Sequence, residues 1–503
     1  GPDLVTGALS GSGTIDAQPV RVAGQIRRDE IALAVEDFAA EIGGANLSAN
    51  LVRNNRSTLM EGRAAIEASD ISALAALALQ NASGRLNADI ELSNRNGKQA
   101  ASVTAEARDL SLDANRVGSA NISADIDGLL SSPKVDAQID AVNLQLGAMA
   151  VRQFDGTIAT DGQRTDFDAV ALMAQENARV QTKGTLTQSA NEQLIALETL
   201  DLKSDVGNAN LVAPTSISIS EGRTTIDNAK LNVAGGQIDI GGSVSDNLDL
   251  KIALARLPLN VANAFSAGLG LGGTIDGTVA VSGTTNAPRA SFNISGNSVT
   301  TRQSLQAQIS PLNVQTSGSF NGAARSVSVD RLNIANAEEI QLSGSGIIPL
   351  VGSGLNFSAD GTAPLSIGAR FLASRGASLS GQARFNVTAK GALNAPQLGG
   401  LLSISGGSLS DPLSNLRLTD IGLIAGLSGN QIAIQRFGAQ LSGGGSVTGS
   451  GTVGIAGDLP ANLTMTLNNA GYSDGQTFAT TVNGQLALGG SLLRDPILSG
   501  QIN

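Results

Sequence analysis

The sequence offers little for acid–base or nucleophilic chemistry. It contains no His and no Cys, so the commonest general base and the thiolate nucleophile are both missing. Carboxylates are paired at Glu338 and Glu339, and Asp239 stands near Asp249, but no Lys accompanies either pair in a recognisable catalytic motif. We interpret these pairs as parts of a solvated polar surface. The sequence therefore predicts no enzyme, no cofactor and no metal site.

A glycine-rich stretch at residues 268–274, GLGLGGT, is the one candidate for a phosphate-binding loop. It lacks the terminal Gly-Lys-Ser/Thr of such loops, and a strand-like pattern follows where a phosphate site needs the start of a helix. We interpret it as a turn.

The residue composition of the chain excludes further classes of function. Apolar residues make up 41% of the chain but aromatic residues only 2%, so any apolar surface is mainly aliphatic. The net charge of −11, with no Lys/Arg cluster and few aromatic rings to stack on bases, argues against nucleic-acid binding.

Strict alternation of apolar and polar residues is the strongest structural signal. In residues 379–391, LSGQARFNVTAKG, every apolar residue or glycine falls at an odd position and every polar residue at an even one. Residues 271–283 and 482–492 repeat the pattern. Such strands have one apolar face and one polar face, which is typical of an antiparallel sheet covered on one side only. We call these the apolar face and the polar face.

These patterns predict a mainly β fold: a long, curled, one-sided antiparallel sheet, shaped as a groove or trough, with a few short helices. Helical tracts are expected within residues 69–80, 258–269 and 364–376, and a hairpin turn at Asn96-Gly97. A G-x9-G-x4-P motif recurs with its first glycine at Gly118, Gly273 and Gly381. We therefore expect one continuous repetitive body over residues 1–503, with approximate units 1–133, 134–288, 289–396 and 397–503.

Three segments carry a family resemblance. Residues 257–296, 379–409 and 418–455 resemble the repeat region of TamB, the translocation and assembly module subunit, which belongs with the AsmA-like and bridge-like lipid transfer proteins. The resemblance implies a long β-groove in the bacterial periplasm that moves phospholipid to the outer membrane. It also implies a TamA- or BamA-type outer-membrane barrel as partner.

The two ends of the chain add an expectation about its context. The Gly1-Pro2 start is typical of a protease-cleaved end, and the last residues stop within a strand-like pattern. We expect a fragment of a longer periplasmic protein, anchored in the inner membrane by an N-terminal helix outside this chain.

A one-sided sheet must cover its apolar face. Acyl chains are suitable occupants because they need no hydrogen bonds, and their burial returns about 0.8 kcal/mol per CH₂. The residues predicted to line a lipid groove are Leu271, Ile275, Val279, Val281, Leu379, Phe385, Val387, Val447, Val453, Ile455, Leu486 and Leu488.

Glycines also fall on the predicted apolar face. Gly344 and Gly346 share it with Leu342 and Ile348, and Gly449 and Gly451 occupy equivalent positions in residues 447–453. Our hypothesis is that they let the sheet curl and leave width for an acyl chain. The alternative is that they mark bulges or bends unrelated to any ligand.

Two other functions fit the same pattern. The chain could be a scaffold or chaperone for outer-membrane protein assembly, lending strand edges to a nascent barrel. It could instead be a glycine-rich β-solenoid, although solenoid repeats of 20–25 residues are much shorter than the repeat of about 100 residues found here.

Overall fold

A computed structural model describes residues 4–15, 18–77, 79–175, 177–264, 268–369, 376–455, 457–474 and 477–503. Strands account for 76% of the chain and helices for 4%. The strands form a single antiparallel sheet that numbers 32 strands over the described residues. The prediction of a mainly β chain, built as a long antiparallel sheet with few short helices, is confirmed. None of the helices within those ranges has the length and apolar character needed to cross a bilayer.

The chain divides into two compact units. Unit 1 comprises residues 1–234 and 239–243, and unit 2 comprises residues 235–238 and 244–503. Strand β17 (Gly236–Val244) contributes residues to both.

Unit 1 is a meander in which neighbouring strands pair side by side, with one strand split into residues 207–211 and 215–220, both of which pair with the strands before and after them. Its one helix within the described residues is α1 (Ser72–Leu77), which lies inside a predicted helical tract. The strands are β1 (Val5–Ile15), β2 (Gln18–Arg28), β3 (Ala32–Ile42), β4 (Ala45–Asn54), β5 (Met60–Ala68), β6 (Ala82–Arg95), β7 (Lys98–Leu112), β8 (Asn115–Asp127), β9 (Lys134–Leu146), β10 (Met149–Asp161), β11 (Arg164–Met173), β12 (Arg179–Gln188), β13 (Glu192–Ser204), β14 (Gly207–Leu211), β15 (Thr215–Ser220) and β16 (Arg223–Val233).

Unit 2 continues the meander. The strands are β18 (Leu248–Pro258), β19 (Gly272–Thr284), β20 (Ala287–Thr300), β21 (Leu312–Asn321), β22 (Ser326–Ala335), β23 (Gln341–Pro349), β24 (Ser353–Pro364), β25 (Ser378–Ala392), β26 (Ala395–Asp411), β27 (Leu416–Ser428), β28 (Gln431–Leu441), β29 (Ser446–Gly454), β30 (Pro460–Ser473), β31 (Ala479–Ser491) and β32 (Asp495–Ile502). The helices are a 3₁₀ helix (Leu259–Ala264), α2 (Arg302–Gln306) and α3 (Ser366–Ala369).

The three helical segments that the structure describes in unit 2 lie at the same edge. They follow β18, β20 and β24, which run in one direction because each intervening pair is antiparallel. The opposite edge carries short hairpin loops instead. We call the edge where β18, β20 and β24 end the helix-bearing edge. Both predicted tracts there contain a helix, at Leu259–Ala264 and Ser366–Ala369, and residues 265–267 and 370–375 of these tracts lie outside the described residues.

The residue types at the hairpin turns account for the backbone conformation there. The β6–β7 hairpin turns through Asn96 and Gly97, both with positive φ, at 51° and 78°, as a two-residue turn between right-twisted strands requires. In the G-x9-G-x4-P motifs the second glycine faces the proline across a hairpin, as Gly283 faces Pro288 and Gly391 faces Pro396. Each proline therefore lies at the start of a strand, where its missing N–H costs little.

Candidate functional site

One transverse row of side chains crosses every strand of unit 2 from β18 to β32. Each member is the Cα partner of the next across a strand pair, and all are apolar residues or glycine: Leu257, Ile275, Gly296, Val314, Ile334, Leu342, Gly361, Phe385, Leu402, Ala425, Ile434, Gly451, Leu463, Leu488 and Leu498. We call it the unit 2 row. It brings together four of the residues selected from sequence, namely Ile275, Phe385, Gly451 and Leu488.

The adjacent row, displaced by one residue, has the opposite chemistry. From β19 to β25 it reads Asp276, Ser295, Gln315, Asn333, Ser343, Asp360 and Asn386. Because successive side chains of a strand point to opposite faces, the two rows define the apolar and polar faces of unit 2.

A second row joins other predicted residues. Gly344, Ala359, Val387, Gly400, Leu427, Ile432 and Val453 are successive cross-strand partners. Val279 and Gly346 belong to a third row, which runs through Phe292 and Val329. The predicted residues thus lie on parallel tracks of one apolar face rather than in one compact site.

The remaining predicted residues lie near these rows. Val281 pairs with Leu250 and Ala290, and Leu486 pairs with Met465. Leu379 packs against a buried cluster of Ile421, Ala439 and Val447, together with Leu409, Leu418, Phe437, Leu441, Met465 and Leu467. Ile455 follows the last residue of β29.

Leu271 precedes β19 and is held by a side chain. The Asn263 amide, from the 3₁₀ helix, donates to the Leu271 carbonyl at 2.9 Å and accepts from its N–H at 2.8 Å. The amide thus makes the two backbone hydrogen bonds with Leu271 that a neighbouring strand would make. These bonds fix the 3₁₀ helix to the start of β19.

Most bulky side chains of this face are only half buried, although Val329 and Val447 are buried. Ile275, Val279, Phe385 and Leu488 are all of intermediate exposure, and no bulky side chain among the described residues is fully buried. Most of the buried apolar residues are alanines. A filled sandwich or barrel would bury its large aliphatic residues, so the part of the chain that the structure describes places no second sheet over the apolar face of either unit.

The glycines of this face have a structural reason in the backbone. Gly346 and Gly451 both have φ of +143°, and an added Cβ would lie 2.2 Å from the Asn356 carbonyl oxygen and 2.1 Å from the Asn462 one. No other residue type adopts that conformation without strain. At Gly449 an added Cβ would lie 2.9 Å from the Thr464 carbonyl oxygen.

Phenylalanine rings occupy the space beside several other glycines, which sequence reasoning missed. An added Cβ at Gly344 would be 3.0 Å from the Phe357 ring, and one at Gly318 would be 2.9 Å from Phe292. Gly344 therefore accommodates a ring of its own sheet. The sequence contains part of the signal for these ring–glycine contacts, because most of its few aromatic residues fall at the alternating apolar positions.

Unit 1 has an apolar face of the same kind, from which no site residue was predicted. One row there runs through Ala49, Ala64, Ile90, Val103, Ala124, Ala137, Ile158, Phe167, Gly184 and Leu197. Beside it, Ala107, Ala120 and Ala141 form a buried cluster.

Charges lie on exposed positions of the polar face and in turns. Hydrogen bonds from the Ser102 hydroxyl and Arg95 lower the pKa of Asp125, and backbone N–H groups of Ala32 and Ile31 lower that of Asp29. These shifts accompany local hydrogen bonds within strands and turns. Within the described ranges no three carboxylates are grouped so that they could hold a metal ion.

The chain was also compared with known proteins. Neither the models of protein families nor the characterised proteins gave a match to this chain.

Proposed function

We propose that this chain is a non-enzymatic lipid conduit. Phospholipid acyl chains lie along the apolar face while their headgroups remain in water, and the periplasmic protein to which the chain belongs carries phospholipid between the inner and outer membranes. The observation that carries the proposal is the unit 2 row, which is apolar or glycine at every strand and yet only partly covered by protein.

The physical argument concerns an exposed apolar track. Large exposed apolar surfaces on soluble proteins usually mark an interaction site. An acyl chain satisfies such a track without leaving any polar group unpaired, and the gain of about 0.8 kcal/mol per buried CH₂ accumulates along the chain. Neighbouring positions along the track are nearly equivalent for an acyl chain, so none is strongly preferred. An acyl chain can therefore slide along it. The resemblance to the TamB family supports the same conclusion.

Site-specific photocrosslinking tests the proposal. A photoreactive amino acid at Leu463, which belongs to the unit 2 row, is expected to form adducts with phospholipid in a bacterial envelope. The matched control is the adjacent Asn462, which is exposed on the polar face. Equal lipid labelling from both positions would contradict the proposal.

A further inference from the structure

A cavity of about 480 Å³ opens at the helix-bearing edge of unit 2, where β26, β28 and β30 end. The hairpin of β28 and β29 is shorter than its neighbours, and the flanking hairpins meet across it. The contact is direct, since the Asn415 side-chain amide donates to the Ser473 carbonyl at 2.8 Å.

Two glycines permit this closure. An added Cβ at Gly443 would lie 2.4 Å from the Gly471 carbonyl oxygen, and one at Gly471 would lie 2.1 Å from that of Gly443. The Gly471 N–H also donates to the Gly444 carbonyl at 2.8 Å. The cavity is therefore bounded by backbone in close contact, and its shape depends on the missing side chains.

The lining joins the two faces of the sheet. Leu416, Leu441 and Tyr472 come from the apolar face, and Arg417 comes from the polar face. Leu441 also packs against the buried cluster of Ile421, Ala439 and Val447. A molecule in the cavity would thus touch both the end of the apolar face and polar groups.

Arg417 supplies the positive charge of the cavity. Its side chain is exposed, and its guanidinium has no hydrogen bond or ion pair with any other residue that the structure describes. Asp411 also lines the cavity, but its carboxylate accepts from the Leu413 N–H at 3.1 Å and the Ser414 hydroxyl at 2.8 Å. The guanidinium is therefore the group left to bind a ligand.

We propose that this cavity binds the phosphate of a glycerophospholipid headgroup, with Arg417 contacting the phosphate and the acyl chains extending over the Val447 cluster. A guanidinium forks to two phosphate oxygens, which makes Arg suited to this contact. The inference rests on the proposed function and adds to it a place where the headgroup is held.

Tyr472 provides a reporter for the test, because it is the only Tyr of a chain without Trp and it lines the cavity. Its fluorescence is followed while dihexanoyl phosphatidylglycerol is added below its micellar concentration. Dihexanoylglycerol, which has the same acyl chains without phosphate, and inorganic phosphate are titrated in parallel. We expect the phospholipid to bind about tenfold more tightly than dihexanoylglycerol, as one charge-assisted contact provides.

Variants assign the effect to one side chain. Arg417→Gln is expected to remove the difference between the two lipids and Arg417→Lys to retain part of it. The matched control is Arg289→Gln, which changes an exposed arginine at the opposite edge of unit 2 and is expected to leave the difference intact.

Any one of several results would overturn the inference. They are equal binding of the two lipids, loss of the difference in Arg289→Gln as well, and an Arg417-dependent response to inorganic phosphate at the same concentrations. Absence of any response to either lipid would overturn it too. The crosslinking at Leu463 decides the proposed function separately, since it does not depend on Arg417.

Discussion

Phe385 lies directly across from Gly361, and the Cζ atom of its ring is 2.9 Å from the position that a Cβ at Gly361 would take. The ring thus fills the place of a missing side chain on the neighbouring strand. The same relation holds between Phe292 and Gly318 and between Phe167 and Gly184. Covering a glycine with an aromatic ring protects backbone that the glycine would leave exposed.

This relation predicts the cost of removing the ring. Phe385→Ala is expected to destabilise unit 2 by about 1–3 kcal/mol, less than for a fully buried phenylalanine because the ring is half exposed. Urea unfolding measures the change. Asn386→Ala, on the polar face of the same strand, is the control and should shift the midpoint little. Equal shifts would show that the ring contributes nothing through Gly361.

The phrase GSGT occurs at residues 11–14 of β1 and at residues 449–452 of β29, and it imposes different demands on its glycines in the two strands. Gly451→Ala is expected to lower the unfolding midpoint strongly, since φ is +143° and the Cβ would contact the Asn462 carbonyl. Gly13→Ala, at the equivalent position of β1, should cost little because nothing lies within 4 Å of the added Cβ. A tolerated Gly451→Ala would contradict the backbone conformation described here.

The Asp70 carboxylate makes the stability of the fold depend on pH. N–H groups of Ser72 and Gly84 donate to its carboxylate at 3.0 and 3.4 Å and lower its pKa below the ordinary 3.8. A carboxyl whose pKa is lower in the folded state contributes stability that is present above its unfolded pKa and lost as pH falls through the folded value. The unfolding midpoint should therefore fall below about pH 4, and fall less in Asp70→Ala. If the unfolding midpoint of Asp70→Ala fell with pH as steeply as that of the wild type, this contribution would be excluded.

The two hydrogen bonds of the Asn263 amide predict a local loss of stability when this side chain is removed. Asn263→Ala removes both hydrogen bonds to Leu271 and is expected to cost about 1–3 kcal/mol locally. Limited proteolysis should then cleave near residues 259–271 sooner than in the wild type. Asn260→Ala, an exposed position in the same 3₁₀ helix, is the control. Unchanged cleavage in Asn263→Ala would show that the amide does not hold the helix.

Much of the fold was predictable because strand alternation is a local property. The alternating residues 379–391 lie within β25, and Asn96-Gly97 forms the hairpin turn. The bulges were not predictable, since they depend on neighbouring strands. At Arg256, with φ of 48°, the backbone N–H donates to the Asp276 carboxylate of β19 at 2.9 Å. Ile421 was missed as a buried residue because a register shift between Thr419 and Gly422 interrupts the alternation of β27.

The site was predicted less completely than the fold. Alternation places Ile275, Phe385 and Leu488 on one face, but only the register shows that they share the unit 2 row. The hypothesis that glycines leave width for an acyl chain stays a prediction. The backbone of Gly346 and Gly451 supplies an independent reason for those two glycines.

The most direct test of the lipid conduit is native mass spectrometry of the protein purified from bacterial envelopes. Phospholipid is expected to accompany the wild type and the Ala487→Asp variant, whose charge lies on the exposed polar face. Leu488→Asp places a charge in the unit 2 row and should markedly reduce the bound phospholipid with secondary structure unchanged. Absence of phospholipid from the wild type, or equal occupancy in both variants, would contradict the account.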